Sequence, residues 1–236
     1  MPNLQKNNQA LRLHLGCGER YLEGYINIDL PSSAHTVAQP KTDLVADFRT
    51  LQYDPGSNAE IRCHHVFEHF SRAEALKLLL QWRRWLRPGG VLHIETPDFD
   101  TCAWYYFFSG VKARAELTRH IFGSQEAGWA HHYDGWGKRK FRLTLTKLGF
   151  TIRAIKKRSN SLSVLSDLPL FNWIGLLIPS ALYRQRGWNK LPNITVIAEK
   201  TPELIDERAR VRELLSAYLV GTEGEPLLNV WLKDIF

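Results

Sequence analysis

A strand that runs into a glycine turn, followed at once by a second strand tipped with an acid, constrains this chain more than any other feature. In Leu11-Arg-Leu-His-Leu-Gly-Cys-Gly-Glu19 the leucines recur at every second position and end at Gly16-Cys-Gly18. A period of two reads as a strand buried on one face. The glycines let the backbone turn sharply and come close to a ligand. Ile26-Asn-Ile-Asp-Leu30 is a second short strand, and a carboxylate at its tip, Asp29, can accept hydrogen bonds from two ribose hydroxyls. Together these are the parts of a nucleoside clamp. A dinucleotide site needs a third glycine, a helix N-terminus against the pyrophosphate, and its acid roughly 20 residues on. Here Glu19 and Arg20 stand where further glycines belong, and Asp29 comes too early. A carboxylate repels phosphate and attracts a cationic or zwitterionic ligand.

At 236 residues, 44% hydrophobic and 23% charged, the chain suits one domain (1–236) with a sizeable core. Cys17, Cys63 and Cys102 are an odd set without zinc-like spacing, which points to reduced thiols in a reducing compartment. The segment Met-Pro-Asn-Leu-Gln-Lys lacks the apolar core of a signal peptide, so a cytoplasmic location is expected.

Strands and helices alternate through the first half. Asp43–Phe48 and Glu60–His65 read as third and fourth strands. Ser71 with Glu74 forms a capping box for a helix through Leu86, whose Ala75, Leu79, Trp82 and Leu86 share one face. Pro88-Gly-Gly90 stops it, and Val91–Thr96 is a fifth strand. Helical crossovers imply a parallel sheet, which binds ligands beyond its strands' carboxyl ends. Gly16, Asp29, Asp47, His65 and Asp98 all fall on that rim.

Over residues 11 to 98 the order of motifs is specific. Gly16-Cys-Gly18 resembles motif I of the class I S-adenosylmethionine-dependent methyltransferases. His65-Val-Phe-Glu-His-Phe70, Leu86-Arg-Pro-Gly-Gly90 and Ile94-Glu-Thr-Pro-Asp98 resemble the signature that follows motif I in one group of them. His132-Tyr-Asp-Gly-Trp136 and Leu145–Phe150 are similar to that group's histidine loop and its sixth strand's approach. The resemblance implies a doubly wound, mostly parallel seven-stranded α/β sheet, with strands near 11, 26, 43, 61, 91, 150 and 194. Residues 11–100 would form the cofactor-binding half and 101–200 the substrate side. An apolar, lid-like insertion (160–190) precedes the last strand, and 203–236 is a helical extension. Between Gly18 and Ile26 there is room only for a loop or a single turn.

The same resemblance implies that S-adenosylmethionine lies against Leu15, Gly16, Cys17, Gly18, Glu19, Asp29, Leu30, Asp47, Phe48, His64 and His65. Asp29 would take the ribose hydroxyls, Asp47 the adenine amino group, and Phe48 the ring. For Asp29 and Asp47 alike the alternative is a strand-end acid capping a nearby turn. His65, His132 and Asp98 are the candidate catalytic groups, because a neutral imidazole deprotonates an alcohol at physiological pH. Glu68 and His69 read instead as holding their loop by hydrogen bonds to the backbone. No metal is expected, since no third and fourth ligands follow at a recognisable spacing.

Asp100–Phe108 is an aromatic block on the substrate side, with Tyr105 and Tyr106 as candidates and helix burial as the alternative. Lys138–Arg158 carries nine basic and no acidic residues, a surface for phosphate or, commonly, a solvated face. The apolar stretch 162–183 is broken by Pro169, Pro179 and Asp167. That excludes a spanning helix and suits a lid, a dimer surface or a peripheral membrane anchor. The resulting expectation is methyl transfer to an oxygen of a small-molecule or glycan acceptor, with or without phosphate, in surface polysaccharide synthesis. Two alternatives are nucleic-acid methylation through 138–158, weakened by the absence of a base-flipping motif, and a cofactor-binding subunit without activity. Oligomeric state is open.

Overall fold

In the computed structural model, which describes residues 10–158 and 191–236, seven strands form one sheet. They are β1 (Leu11–Leu15), β2 (Ile26–Asp29), β3 (Leu44–Val45), β4 (Asn58–His64), β5 (Leu86–Pro97), β6 (Phe150–Arg158) and β7 (Asn193–Lys200). Their order is β3-β2-β1-β4-β5-β7-β6. The first five run parallel, and β7 is antiparallel to both neighbours. The helices are α1 (Arg72–Trp85), α2 (Phe99–Phe108), α3 (Val111–Phe122), α4 (Lys138–Lys147), α5 (Glu207–Ser216) and α6 (Gly224–Ile235). The insertion 160–190, with its expected lid or anchor, lies outside the described residues, between β6 and β7 in the chain. Among the described residues no helix is long and apolar enough to cross a membrane.

Strand alternation decides where the core sits. Leu13, Leu15, Ile28, Ile61, Cys63, Leu92, Ile94, Ile194, Val196 and Ala198 share one face and join a single cluster with buried residues of α1, α4, α5 and α6. Trp82 of α1 is fully buried against Phe48 and Phe67. The opposite face is polar. It carries Arg12, His14, Asn27, Glu60, Arg62, His64, His93 and Glu95, with Glu60 paired to Arg62 at 2.7 Å and both Arg12 and Arg62 over the Tyr25 ring. The three cysteines are free and buried.

The capping box at Ser71 and Glu74 is formed in both directions, at 3.3 and 3.1 Å. Other boundaries move for local reasons. The third strand is only Leu44–Val45, because Asp47 starts a single helical turn, Phe48–Thr50. Pro88-Gly-Gly90 does end α1, yet it lies inside β5. Gly89, at φ +73°, fits the register shift that lets Leu86 pair with Asn58 ahead of Val91 with Glu60. The helix expected from Glu203 to Leu219 occupies Glu207–Ser216, capped by Asp206. Leu227–Phe236 docks as part of α6, burying Leu228, Leu232 and Ile235.

Candidate functional site

The glycine turn is stitched to its neighbours through backbone groups. Gly16 N–H (2.8 Å) and Cys17 N–H (3.2 Å) both donate to the Ile28 carbonyl, and Lys41 N–H donates to the Gly18 carbonyl at 2.8 Å. Gly16 and Gly18 both take positive φ, +65° and +52°. Their surroundings differ. A Cβ on Gly16 would lie 2.3 Å from Val66 Cγ2, whereas one on Gly18 would meet nothing within 4 Å. Gly16 is therefore needed for packing, and Gly18 leaves a gap above the turn. The chain between Gly18 and Ile26 contains turns and no helix.

Asp29 closes this clamp. Its carboxylate accepts from Gly18 N–H at 2.6 Å and Leu30 N–H at 2.7 Å, and lies 3.2 Å from His35 Nε2. An ionised carboxylate offers about four lone-pair sites, so it has capacity left for a ribose hydroxyl. The open Gly18 backbone and this buried carboxylate fit the nucleoside end of S-adenosylmethionine. Of the neighbouring candidates, Leu30 contributes its N–H to Asp29. Leu15 is wholly buried, so only its backbone faces the rim. Cys17 is a buried thiol pushed up to about 12 by burial and by Asp29. Glu19 accepts from Gln39 N–H at 3.2 Å.

Asp47 and Phe48 are engaged elsewhere. The Asp47 carboxylate accepts from the Arg49 side chain and from Arg49 N–H, the turn-capping alternative, and the Arg49 bond holds it below the usual carboxylate range. The Phe48 ring lies in the core against Phe70 at 5.8 Å and Trp82 at 6.3 Å. Its side chain is not presented for stacking on a ligand. His64 turns onto the polar sheet face, with its ring 5.6 Å from His14 and 4.9 Å from His93 and its Nδ1 3.2 Å from Arg20. Burial, with His93 and Arg20 nearby, drives its pKa down to about 3, and burial beside Arg62 drives His93 to about 4.

Beyond the tip of β4 the chain makes a tight turn that gathers histidines. His65 takes φ +54°, an uncommon conformation for a residue with a side chain, and one typical of over-determined sites. Its Nδ1 lies 3.4 Å from Glu68 and its Nε2 3.3 Å from both Glu95 and Asn193 Nδ2. Burial opposes its charge, but the two carboxylates outweigh burial and raise its pKa to about 10. The two acids that converge on it, one of them Glu95 from the next strand, favour the imidazolium, which has no lone pair for a proton, and so count against the expected neutral base.

The loop 123–137 folds over this turn. His132 N–H donates to Phe122, Tyr133 N–H to Glu68, and Phe99 N–H to Trp136. His69 Nδ1 lies 3.0 Å from the His131 carbonyl, and His132 Nδ1 3.1 Å from the His120 carbonyl. A carbonyl only accepts, so both Nδ1 atoms carry a proton, and in the neutral form of each ring the lone pair falls on Nε2. The two rings are 4.7 Å apart, and burial lowers the His132 pKa. For His69 the backbone bond expected from the sequence exists, although its partner lies 62 residues away. Glu68 behaves otherwise. It is 2% exposed, and neither carboxylate oxygen has a hydrogen bond. Glu68 and His132 also line a small, open cleft with Phe99 and Trp136. An indole joins the two halves of the site: Trp129 donates to the Ala34 carbonyl at 2.7 Å and stands 5.4 Å from the His35 ring and 6.1 Å from that of His69.

Asp98 is 1% exposed, paired with Lys157 at 2.8 Å and bonded to Thr101. That engagement, through Oδ2, anchors α2 to β6, while Oδ1 has no hydrogen bond. The aromatic block does not bury α2 against the sheet as the structural alternative supposed. Cys102 is its buried residue, while Trp104, Tyr106, Phe107 and Phe108 are exposed. The basic segment is partly neutralised by acids from elsewhere: Lys140 by Asp134, Lys147 by Glu213, Arg153 by Glu199 and Lys157 by Asp98.

A seven-stranded mixed sheet with a glycine turn and an acid on its carboxyl rim is a Rossmann-like α/β architecture. Residues 13–94, which hold β2, β3, β4 and most of β1 and β5, match the family model described as methyltransferase domain. Among solved structures, a methyltransferase from Methanosarcina mazei is similar at 15% identity and TM-score 0.48, over 86% of this chain and 99% of that one. One from Mesorhizobium loti is similar at 15% identity and TM-score 0.46, over 81% and 92%. The Burkholderia thailandensis 1,6-didemethyltoxoflavin-N1-methyltransferase, solved with S-adenosylhomocysteine, is similar at 12% identity and TM-score 0.47, over 81% and 71%. No curated protein matched this chain.

Proposed function

We propose that this chain moves the methyl group of S-adenosylmethionine to a hydroxyl oxygen of a small-molecule or glycan acceptor bound in the cleft beside Glu68 and His132. The observation that carries this reading is a pair of half-buried imidazoles at the rim, each with Nδ1 tied to a carbonyl, so that the lone pair of the neutral ring falls on Nε2. When bound, the cofactor supplies an electrophilic methyl carbon on a sulfonium. The acceptor oxygen bonds to that carbon as the carbon–sulfur bond breaks, and the electron pair stays on sulfur. The hydroxyl proton passes to the imidazole cluster, His132 first. Gly18 and Asp29 hold the nucleoside, and the imidazolium of His65 orients polar groups between Glu68 and Glu95. Placement in line with the sulfonium supplies most of the rate, and a base of ordinary strength adds to it.

A sugar acceptor of a surface polysaccharide pathway rests on the family resemblance and on no residue of this site. The paired lysines and arginines of 138–158 leave less free charge for a nucleic-acid backbone than the sequence suggests. Calorimetry with S-adenosylhomocysteine tests the reading. Wild type binds, and Asp29→Ala weakens binding by about 10- to 150-fold, the worth of a hydrogen bond to a charged group at about 1.5–3 kcal/mol. A folded wild type that does not bind overturns it. Cofactor binding with no methyl transfer to any hydroxyl acceptor supports the inactive-subunit alternative.

A further inference from the structure

We propose that Glu68, His69 and His132 form a binding site for one divalent transition-metal ion. One carboxylate oxygen and two imidazole nitrogens from these residues lie within 4.8 Å of one another. Two independent features go beyond that proximity. The Glu68 carboxylate is 2% exposed and neither oxygen has a hydrogen bond; His65 Nδ1 stands 3.4 Å from Oε1, which leaves Oε2 without a partner. A buried carboxylate oxygen left without a partner is costly, and a cation at the cluster completes it. In addition, each imidazole is oriented from behind. Nδ1 of His69 is fixed by the His131 carbonyl at 3.0 Å and Nδ1 of His132 by the His120 carbonyl at 3.1 Å. Metal-bound histidines have this outer-shell partner almost always, because it sets the tautomer and aims the free nitrogen at the ion.

The donor set selects the ion class. Two imidazoles and a carboxylate suit zinc, iron(II), cobalt(II), nickel or manganese rather than calcium or magnesium, which favour oxygen-only shells. Three protein ligands leave coordination positions open, as catalytic sites require. Bonds of about 2.1 Å bring the donors to about 3–3.4 Å apart, so the site closes by roughly an ångström on loading. The loop 123–137 supplies His132 and can make that adjustment. The inference rests on the reading of this cleft as the acceptor site: with His132 Nε2 on the ion, the ion replaces that imidazole as the activating group, making a neighbouring hydroxyl more acidic and positioning it, and the proton leaves to solvent.

The test uses the full chain stripped with a chelator and titrated with cobalt(II) alone, followed by visible absorption and calorimetry. One equivalent is expected to bind with d–d bands of a nitrogen–oxygen site. His69→Gln and His132→Gln should each lower affinity by more than the about 10- to 100-fold that loss of an outer-shell partner costs. His131→Gln, whose side chain lies outside the cluster, should bind like wild type. Glu68→Gln keeps the side chain's shape and guards against a trivial loss of fold. Absence of stoichiometric binding, or binding that survives the double variant His69→Gln, His132→Gln, overturns the proposal. Calorimetry with S-adenosylhomocysteine on the same samples separates the two claims. If the homocysteine product binds and cobalt does not, the metal site falls alone; if cobalt binds and the product does not, the methyltransferase reading falls and the metal site stands.

Discussion

Gly16 and Gly18 have nearly the same backbone conformation and opposite surroundings, so alanine at each separates what the fold needs from what a ligand needs. Gly16→Ala forces a side chain into the left-handed region, at a cost of about 1–2 kcal/mol. It also drives a Cβ to 2.3 Å from Val66 Cγ2, an overpacking worth about 1–3 kcal/mol more. A loss of about 2–5 kcal/mol lowers the melting temperature by about 4–20 °C in a chain of this size. Gly18→Ala carries only the conformational cost, because nothing lies within 4 Å of its Cβ, so the melting point falls by about 2–8 °C. Its methyl group instead occupies the gap over the turn, and S-adenosylhomocysteine affinity falls at least about tenfold, about 1.4 kcal/mol. Calorimetric melting and ligand titration of both variants, with Val66→Ala added to Gly16→Ala, make the assay. The double variant should recover about 1–3 kcal/mol as a coupling term. Gly16→Ala melting within 2 °C of wild type refutes the packing argument. Gly18→Ala binding the ligand like wild type refutes the cradle.

Two further outcomes follow from the structure. His64 and His93 are held neutral, with pKa values near 3 and 4 against an ordinary 6.5. The unfolded chain therefore binds protons that the folded chain does not, and stability falls as pH drops from about 6.5 toward 3. Each contributes up to about 1.4 kcal/mol per pH unit in that window. Urea unfolding between pH 4 and 7 checks this, and His93→Gln should flatten the acid limb; an unchanged limb removes His93 from the account. Trp82→Ala empties a fully buried site between Phe48 and Phe67 and should cost about 3–5 kcal/mol in the same assay, while a loss under 1 kcal/mol would place Trp82 outside the core.

Most of the sheet was legible in the chain because strands, caps and turns are set by residues close in sequence. The alternation in Leu11–Leu15, the capping box at Ser71 and Glu74, and the acid-tipped strand at Asp29 all appear where the pattern put them. The same alternation carried a further consequence: strands reading Leu-Arg-Leu-His-Leu and Glu-Ile-Arg-Cys-His have one apolar face, and the other face is polar in the fold. The candidate site was half legible. Gly18 N–H and the Asp29 carboxylate meet at 2.6 Å, because two adjacent parallel strands bring their tips together. The contacts of Asp47, Phe48 and Asp98 were not legible for one reason: an acid or a ring at a strand end has the same signature whether it meets a ligand, caps a turn or anchors a helix.

By itself the sequence determined the strand order's raw material, the glycine turn and the acid that closes it, because these depend on local period and on conformations that glycine alone adopts easily. Only the tertiary structure decided the chemistry of the histidines. Glu95 reaches His65 across two paired strands and makes it a cation, while His131 and His120 offer the carbonyls that orient His69 and His132. Glu68 meets His132 across a separation of 64 residues, and no spacing rule connects them. Charge state and ligand geometry depend on which groups the folded loops bring within a few ångströms, and that distance is fixed only when the core beneath them is packed.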